Sequence, residues 1–216
     1  MPGSAGFMRS TQTWLRLRWP TFEIRELVVF LLFVQLIANA KLFALAFGPR
    51  GVAAVFTGFA LVIYGGAVHG KQFAVRRALG WVGAPWRQWV GAVVAGCLLS
   101  AVVTAATVVF GNSTQVAEPV HNQVLAVTLG PLVEEICLRG VMVPLLARLT
   151  GTTASVLVIS AVFAFLHWPA SLLKLASIGA TGAAYGWIRV GSGSTALAAV
   201  AHSTYNLMVL IFARLG

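Results

Sequence analysis

The stretch QVLAVTLGPLVEEICLRGVMVPLLA, residues 123–147, is apolar along most of its length yet carries Glu134, Glu135 and Arg139 near its middle. A helix that crosses a bilayer needs roughly 20 mostly apolar residues, and this stretch supplies them. Each ionisable side chain at the centre of such a helix costs roughly 3 kcal/mol on insertion scales. A segment that holds three must either compensate them or use them. Helix geometry separates the three. Glu135 and Arg139 are four residues apart with the glutamate on the N-terminal side, the better order for an ion pair on one face. Glu134 lies about 100° around the helix from Glu135 and is left over from that pair. Pro131 lacks the amide N–H and crowds the preceding turn. A kink or restart is therefore predicted at Pro131, with Glu134 in the first turn of the new segment, where the positive helix end favours a carboxylate.

The surrounding chain has the same character. Of its 216 residues 59% are hydrophobic and 9% are charged, against about 25% charged in an ordinary soluble domain. Apolar stretches run over 24–47, 51–70, 89–110, 123–147, 153–168, 170–190 and 195–213. They predict an all-α, polytopic transmembrane bundle of about seven spans. Residues 1–23 interleave Arg9, Arg16 and Arg18 with Trp14, Leu15, Leu17 and Trp19 and read as a basic interfacial arm. Residues 24–122 form an N-terminal group of spans, and 123–213 the region that bears the chemistry. No cleavable signal pattern precedes the first span.

The formal charge of +10 raises the question of a nucleic-acid partner, which the distribution of basic residues answers. With the N-terminus inside, ten Lys and Arg fall on the cytoplasmic side and three on the other; Lys41 and Arg139 fall within spans. Basic residues so placed set orientation, so the reading is a multi-pass protein with a cytoplasmic N-terminus and no nucleic-acid partner. Abundant Ala, Val, Gly and Arg with three Lys point to a bacterial source, hence a plasma-membrane location. Cys97 and Cys137 read as small buried hydrophobes, and Cys137 has no identifiable activator for a thiol mechanism. No internal repeat supports an inverted-repeat transporter. Gly182 and Gly186 form a GxxxG spacing that permits close helix approach, or reflects only how common glycine is in membrane helices.

Two further spans carry polar residues at helical spacing. Phe163 and His167 are four apart, as are His202 and Asn206, each pair on one helix face. Polar side chains on an apolar helix need polar partners. The nearest unpaired candidates for His202 and Asn206 are Glu134 and His167. Along straight spans Glu134 falls near mid-membrane, His167 nearer the non-cytoplasmic end and His202 nearer the cytoplasmic end. Tilt or shifted boundaries must bring them to one depth.

In this order, Glu134-Glu135-Ile136-Cys137-Leu138-Arg139 resembles the EExxxR motif, Phe163 to His167 the FxxxH motif, and His202 to Asn206 the HxxxN motif of the CPBP intramembrane proteases. That family includes the CAAX prenyl endopeptidases and the bacterial Abi proteins. The glycine-bearing stretch from Gly182 to Ser194 is also similar, and the resemblance covers roughly residues 128–208. It implies an intramembrane endopeptidase that cleaves a membrane-associated protein or peptide. Glu134 with His167 would activate water, His202 with Asn206 would stabilise the oxyanion, and Glu135 with Arg139 would support the site. A metal-free glutamate mechanism uses all four catalytic groups. The alternative is a zinc enzyme with Glu134, His167 and His202 as ligands. A noncatalytic membrane scaffold or assembly factor of the same fold is the reading from another class. The sequence does not specify an oligomeric state.

Overall fold

The computed structural model describes residues 80–110, 120–167 and 171–215, together with Gly48 and Pro169. The basic arm and the first two proposed spans lie outside the described residues, which are mostly helical with no strand among them. The elements are α1 (Trp86–Val109), α2 (Val120–Val127), α3 (Leu129–Glu135), a π-helical turn (Ile136–Met142), α4 (Val143–Thr150), α5 (Thr152–Leu166), α6 (Leu172–Ser192) and α7 (Thr195–Leu215).

Helix α1 starts just after Pro85, and its 24 residues reach about 36 Å. Its buried residues Ala92, Gly96 and Ser100 recur every four positions and form one face, which packs on α7. Gly96 makes this possible, because a Cβ there would run into the Ala201 carbonyl oxygen. The rest of α1 exposes Val90, Val93, Val94, Leu98, Val102, Val108 and Val109. So much exposed apolar surface suits lipid, not water. Helices α1 and α7 are the two long and apolar enough to cross a membrane among the described residues.

The quoted stretch is not one straight span. The helix breaks at Thr128 (φ −112°, ψ −80°) and restarts at Leu129. The restart therefore falls ahead of Pro131, not at it. A proline ring clashes with the carbonyl four residues back, here that of Val127, so the distortion appears one turn earlier. Glu134 is the sixth residue of α3 and lies beyond its first turn, where the helix-end field has largely fallen away. A second irregularity follows at once. The Val143 N–H bonds to the Leu138 carbonyl five residues back, closing the π-helical turn. Pro144, near the start of α4, offers no N–H to the Gly140 carbonyl and crowds it, which widens the turn.

Helix α5 ends at Leu166, with His167 as its C-cap rather than inside it. Helix α6 starts at Ser171, whose hydroxyl accepts from the Lys174 N–H at 3.2 Å, and ends at Gly193 in the left-handed conformation (φ +71°). The GxxxG spacing is used for close packing: a Cβ at Gly182 would lie 2.8 Å from Phe163 Cδ1, and one at Gly186 would lie 2.7 Å from Val156 Cγ1. Both contacts seat α6 on α5. The turn into α7 is fastened to the segment before α1 by Thr195 N–H to the Gly80 carbonyl (2.8 Å) and Ser194 hydroxyl to the Val82 carbonyl (3.0 Å).

Two apolar cores result. One joins the π turn, α4 and α5 through Leu138, Met142, Val143, Val156, Ile159 and Phe163. The other joins α1, α6 and α7 through Ala92, Tyr185, Leu197 and Ala201.

Candidate active site

The polar residues gather where these two cores meet. Arg139, on the π turn, is fully buried. Its Nη1 donates to Glu135 Oε1 at 3.1 Å and its Nη2 to the Gly182 carbonyl at 2.7 Å. The guanidinium lies over Phe163 (4.6 Å) and Tyr185 (5.7 Å), so two aromatic faces contribute to holding the cation. A side chain at 182 would crowd both Arg139 Nη2 and Phe163. The glycine thus serves the arginine as well as the helix contact.

Glu135 is the hub. Its Oε1 accepts from Arg139 and also from His202 Nδ1 at 3.0 Å. With the Nδ1 proton given to Glu135, the free ring nitrogen of His202 is Nε2, and this lies 3.9 Å from Glu134 Oε2. Glu134 is 40% exposed whereas Glu135 is wholly buried. Adjacent glutamates thus occupy opposite environments, one locked in an ion pair and one open. These contacts bring both glutamates together with the eighth residue of α7.

The partners of the remaining residues differ from those the spacing suggested. His202 is held chiefly by Glu135 rather than by Glu134 or His167. Asn206 Nδ2 donates to the Ala126 carbonyl at 2.7 Å, one turn back from Gly130 and next to the break that Pro131 causes. His167 is exposed and its Nδ1 donates to the Phe163 carbonyl at 2.8 Å, leaving Nε2 as its free nitrogen. Its ring meets the Phe163 ring edge-on at 4.5 Å, and Phe163 meets His202 at 5.6 Å. Neither His167 nor Asn206 makes a hydrogen bond to Glu134 among the described residues. Phe163 connects His167 to the buried cluster, a role its place in the FxxxH spacing only hinted at.

Three features were not read from the sequence. The acceptors for Arg139 and Asn206 are backbone carbonyls, which no side-chain pattern reveals. The π turn had a signal in Pro144, thirteen residues after Pro131. Tyr185 stacks on His202 with ring centroids 4.7 Å apart, and its position between Gly182 and Gly186, which face α5, was the available clue.

Among the described residues no group of three His, Cys, Asp or Glu side chains is gathered as a metal site requires. His167 and His202 each have their Nδ1 engaged, which leaves Nε2 as the free nitrogen.

Residues 117–208 match the family model described as Type II CAAX prenyl endopeptidase Rce1-like, in agreement with the resemblance carried by the three motifs. That family comprises membrane-embedded proteases. No curated protein and no solved structure matches the chain.

Proposed function

We propose that the protein is an intramembrane endopeptidase of CAAX type that hydrolyses a peptide bond through water activated by Glu134, without a metal. The observation that carries this reading is the asymmetry of the glutamate pair. Glu135 is spent on Arg139 and His202, while Glu134 stands open to solvent opposite His202 Nε2. A scaffold needs the first arrangement but has no use for the second.

Glu134 takes the proton from water as general base and returns it to the amine nitrogen as the C–N bond breaks, and the exposed His167 offers Nε2 to orient that water. The carbonyl oxygen gains charge as water attacks, and His202 with Asn206 donates to it. Because His202 Nδ1–H is committed to Glu135, its donation to an oxyanion runs through Nε2, which must then carry a proton. Asn206 has two amide hydrogens, so one is free while the other holds the Ala126 carbonyl. Glu135 and Arg139 fix the frame. The enzyme is a seven-span bacterial plasma-membrane protein with its N-terminus in the cytoplasm, and its substrates are membrane-associated proteins or peptides.

The test uses the full chain in proteoliposomes with quenched fluorescent peptides ending in a CAAX sequence, prenylated and unprenylated. Cleavage is expected from the wild type and not from Glu134→Gln, with equal thermal stability of the two. Undiminished cleavage by Glu134→Gln would refute the assignment. Loss of activity on chelation that only zinc restores would refute the metal-free mechanism. Substrate trapping with Glu134→Gln identifies the natural substrate if neither peptide is cut.

A further inference from the structure

Tyr185 belongs to none of the three motifs, yet it makes the closest ring contact with His202. It is fully buried on α6, and its ring lies 18° from parallel with the imidazole at 4.7 Å. Phe163 stands crosswise to both rings, at 83° to His202 and 80° to Tyr185. The imidazole is therefore held on one face by Tyr185, across by Phe163 and at Nδ1 by Glu135.

This confinement matters because the torsion that carries an imidazole is broad and roughly two-fold. A half-turn would exchange Nδ1 for a ring carbon and remove the donor from Glu135. Nε2 would then no longer face Glu134. The hydrogen bond to Glu135 fixes one edge of the ring, but a single edge leaves the plane free to tilt. A stacked aromatic face removes that freedom.

We propose that Tyr185 is a positioning residue for His202: its ring holds the imidazole in one plane and one orientation, so that Nδ1 stays on Glu135 and Nε2 faces Glu134. The inference rests on the reading of His202 as a reactive group, but the orientation itself is measurable without any substrate. The ring, not the hydroxyl, does this. The Tyr185 hydroxyl is buried and makes no hydrogen bond among the described residues, an unfavourable state that a positioning role does not require.

The experiment is nitrogen NMR of the histidine rings in the full chain, labelled with ¹⁵N-histidine and held in nanodiscs, with the His202 signals assigned by their loss in His202→Gln. The wild type is expected to show one set of His202 ring signals with Nδ1 protonated. Tyr185→Phe should retain that set, and Tyr185→Leu should give several sets or signals averaged between tautomers. With a cleavable CAAX peptide, kcat should fall by at least about tenfold in Tyr185→Leu with KM little changed, and by no more than about threefold in Tyr185→Phe. If Tyr185→Leu does not fold, Tyr185→Met, closer in length, is judged by the same criteria. Unchanged His202 signals without the aromatic ring would overturn the proposal. So would a Tyr185→Phe variant as disturbed as Tyr185→Leu, because the hydroxyl would then be the operative group. A wild type that cleaves nothing but shows the expected signals would count against the proteolytic reading and leave the positioning role standing.

Discussion

Glu135 carries two hydrogen bonds on one carboxylate oxygen, and the consequences of removing it follow from where its partners are. Arg139 is fully buried, so Glu135→Gln leaves a guanidinium without its anion and should destabilise the protein by about 3–5 kcal/mol. Chemical unfolding in detergent measures this. The double change Glu135→Leu with Arg139→Met removes both charges and should recover much of the lost stability while abolishing cleavage. If the double variant is less stable than Glu135→Gln alone, the ion pair is not the main constraint. At this scale the sequence was most legible where the helix itself dictates geometry: the i, i+4 spacing identified the Glu135–Arg139 pair and singled out Glu134. It was least legible where a partner is a distant backbone group. Nothing in residues 202–206 points to the Ala126 carbonyl, which becomes available because Pro131 disrupts the helix next to it.

Among the elements, the contact of α6 with α5 and that of α1 with α7 both depend on missing side chains, but they differ in what yields. Gly182→Ala meets the ring of Phe163 and the guanidinium of Arg139, and Gly186→Ala meets the methyl groups of Val156. These neighbours can shift slightly, so about 1–3 kcal/mol is expected for each. Gly96→Ala meets the Ala201 carbonyl, which as backbone cannot shift without moving α7, so a larger loss is expected. Gly179→Ala meets only Ala164 Cβ at an ordinary 3.7 Å and should be tolerated. Thermal shifts of the four variants in one detergent give the ranking; a Gly179→Ala variant as unstable as Gly96→Ala would contradict it. In the sequence Gly182 and Gly186 had an equally good explanation in composition, and only the partner helix decides between the two. The break at Thr128 was displaced from Pro131 because a proline acts on the turn before it. The π turn is hidden because Pro144 lies inside the apolar stretch 123–147, which hydropathy alone reads as one continuous span.

For the whole molecule, composition was sufficient to give a helical membrane protein, and the match over residues 117–208 agrees with the motifs. The count of spans rests on the apolar stretches, and their orientation on the distribution of basic residues. They make a direct prediction. In a chain whose Cys97 and Cys137 are replaced by Ala, a single cysteine at Gly193 should react with a membrane-impermeant thiol reagent only when the cytoplasmic face is open, and one at Ser113 only from the opposite face. The reverse pattern would invert the topology. Equal access from one side would remove a span between the two positions.

Helix α5 has only fifteen residues and reaches about 22 Å, whereas the hydrocarbon layer is about 30 Å thick. On the seven-span reading α5 crosses the bilayer, and lipid next to a helix this short would thin to meet it. A dimple of this kind would bring the headgroup boundary down to His167, at the end of α5, and shorten the distance a peptide bond must travel from the membrane surface to Glu134. Activity should therefore depend on acyl-chain length. Reconstituted in lipids of increasing thickness, the enzyme should slow as the dimple becomes costlier to form.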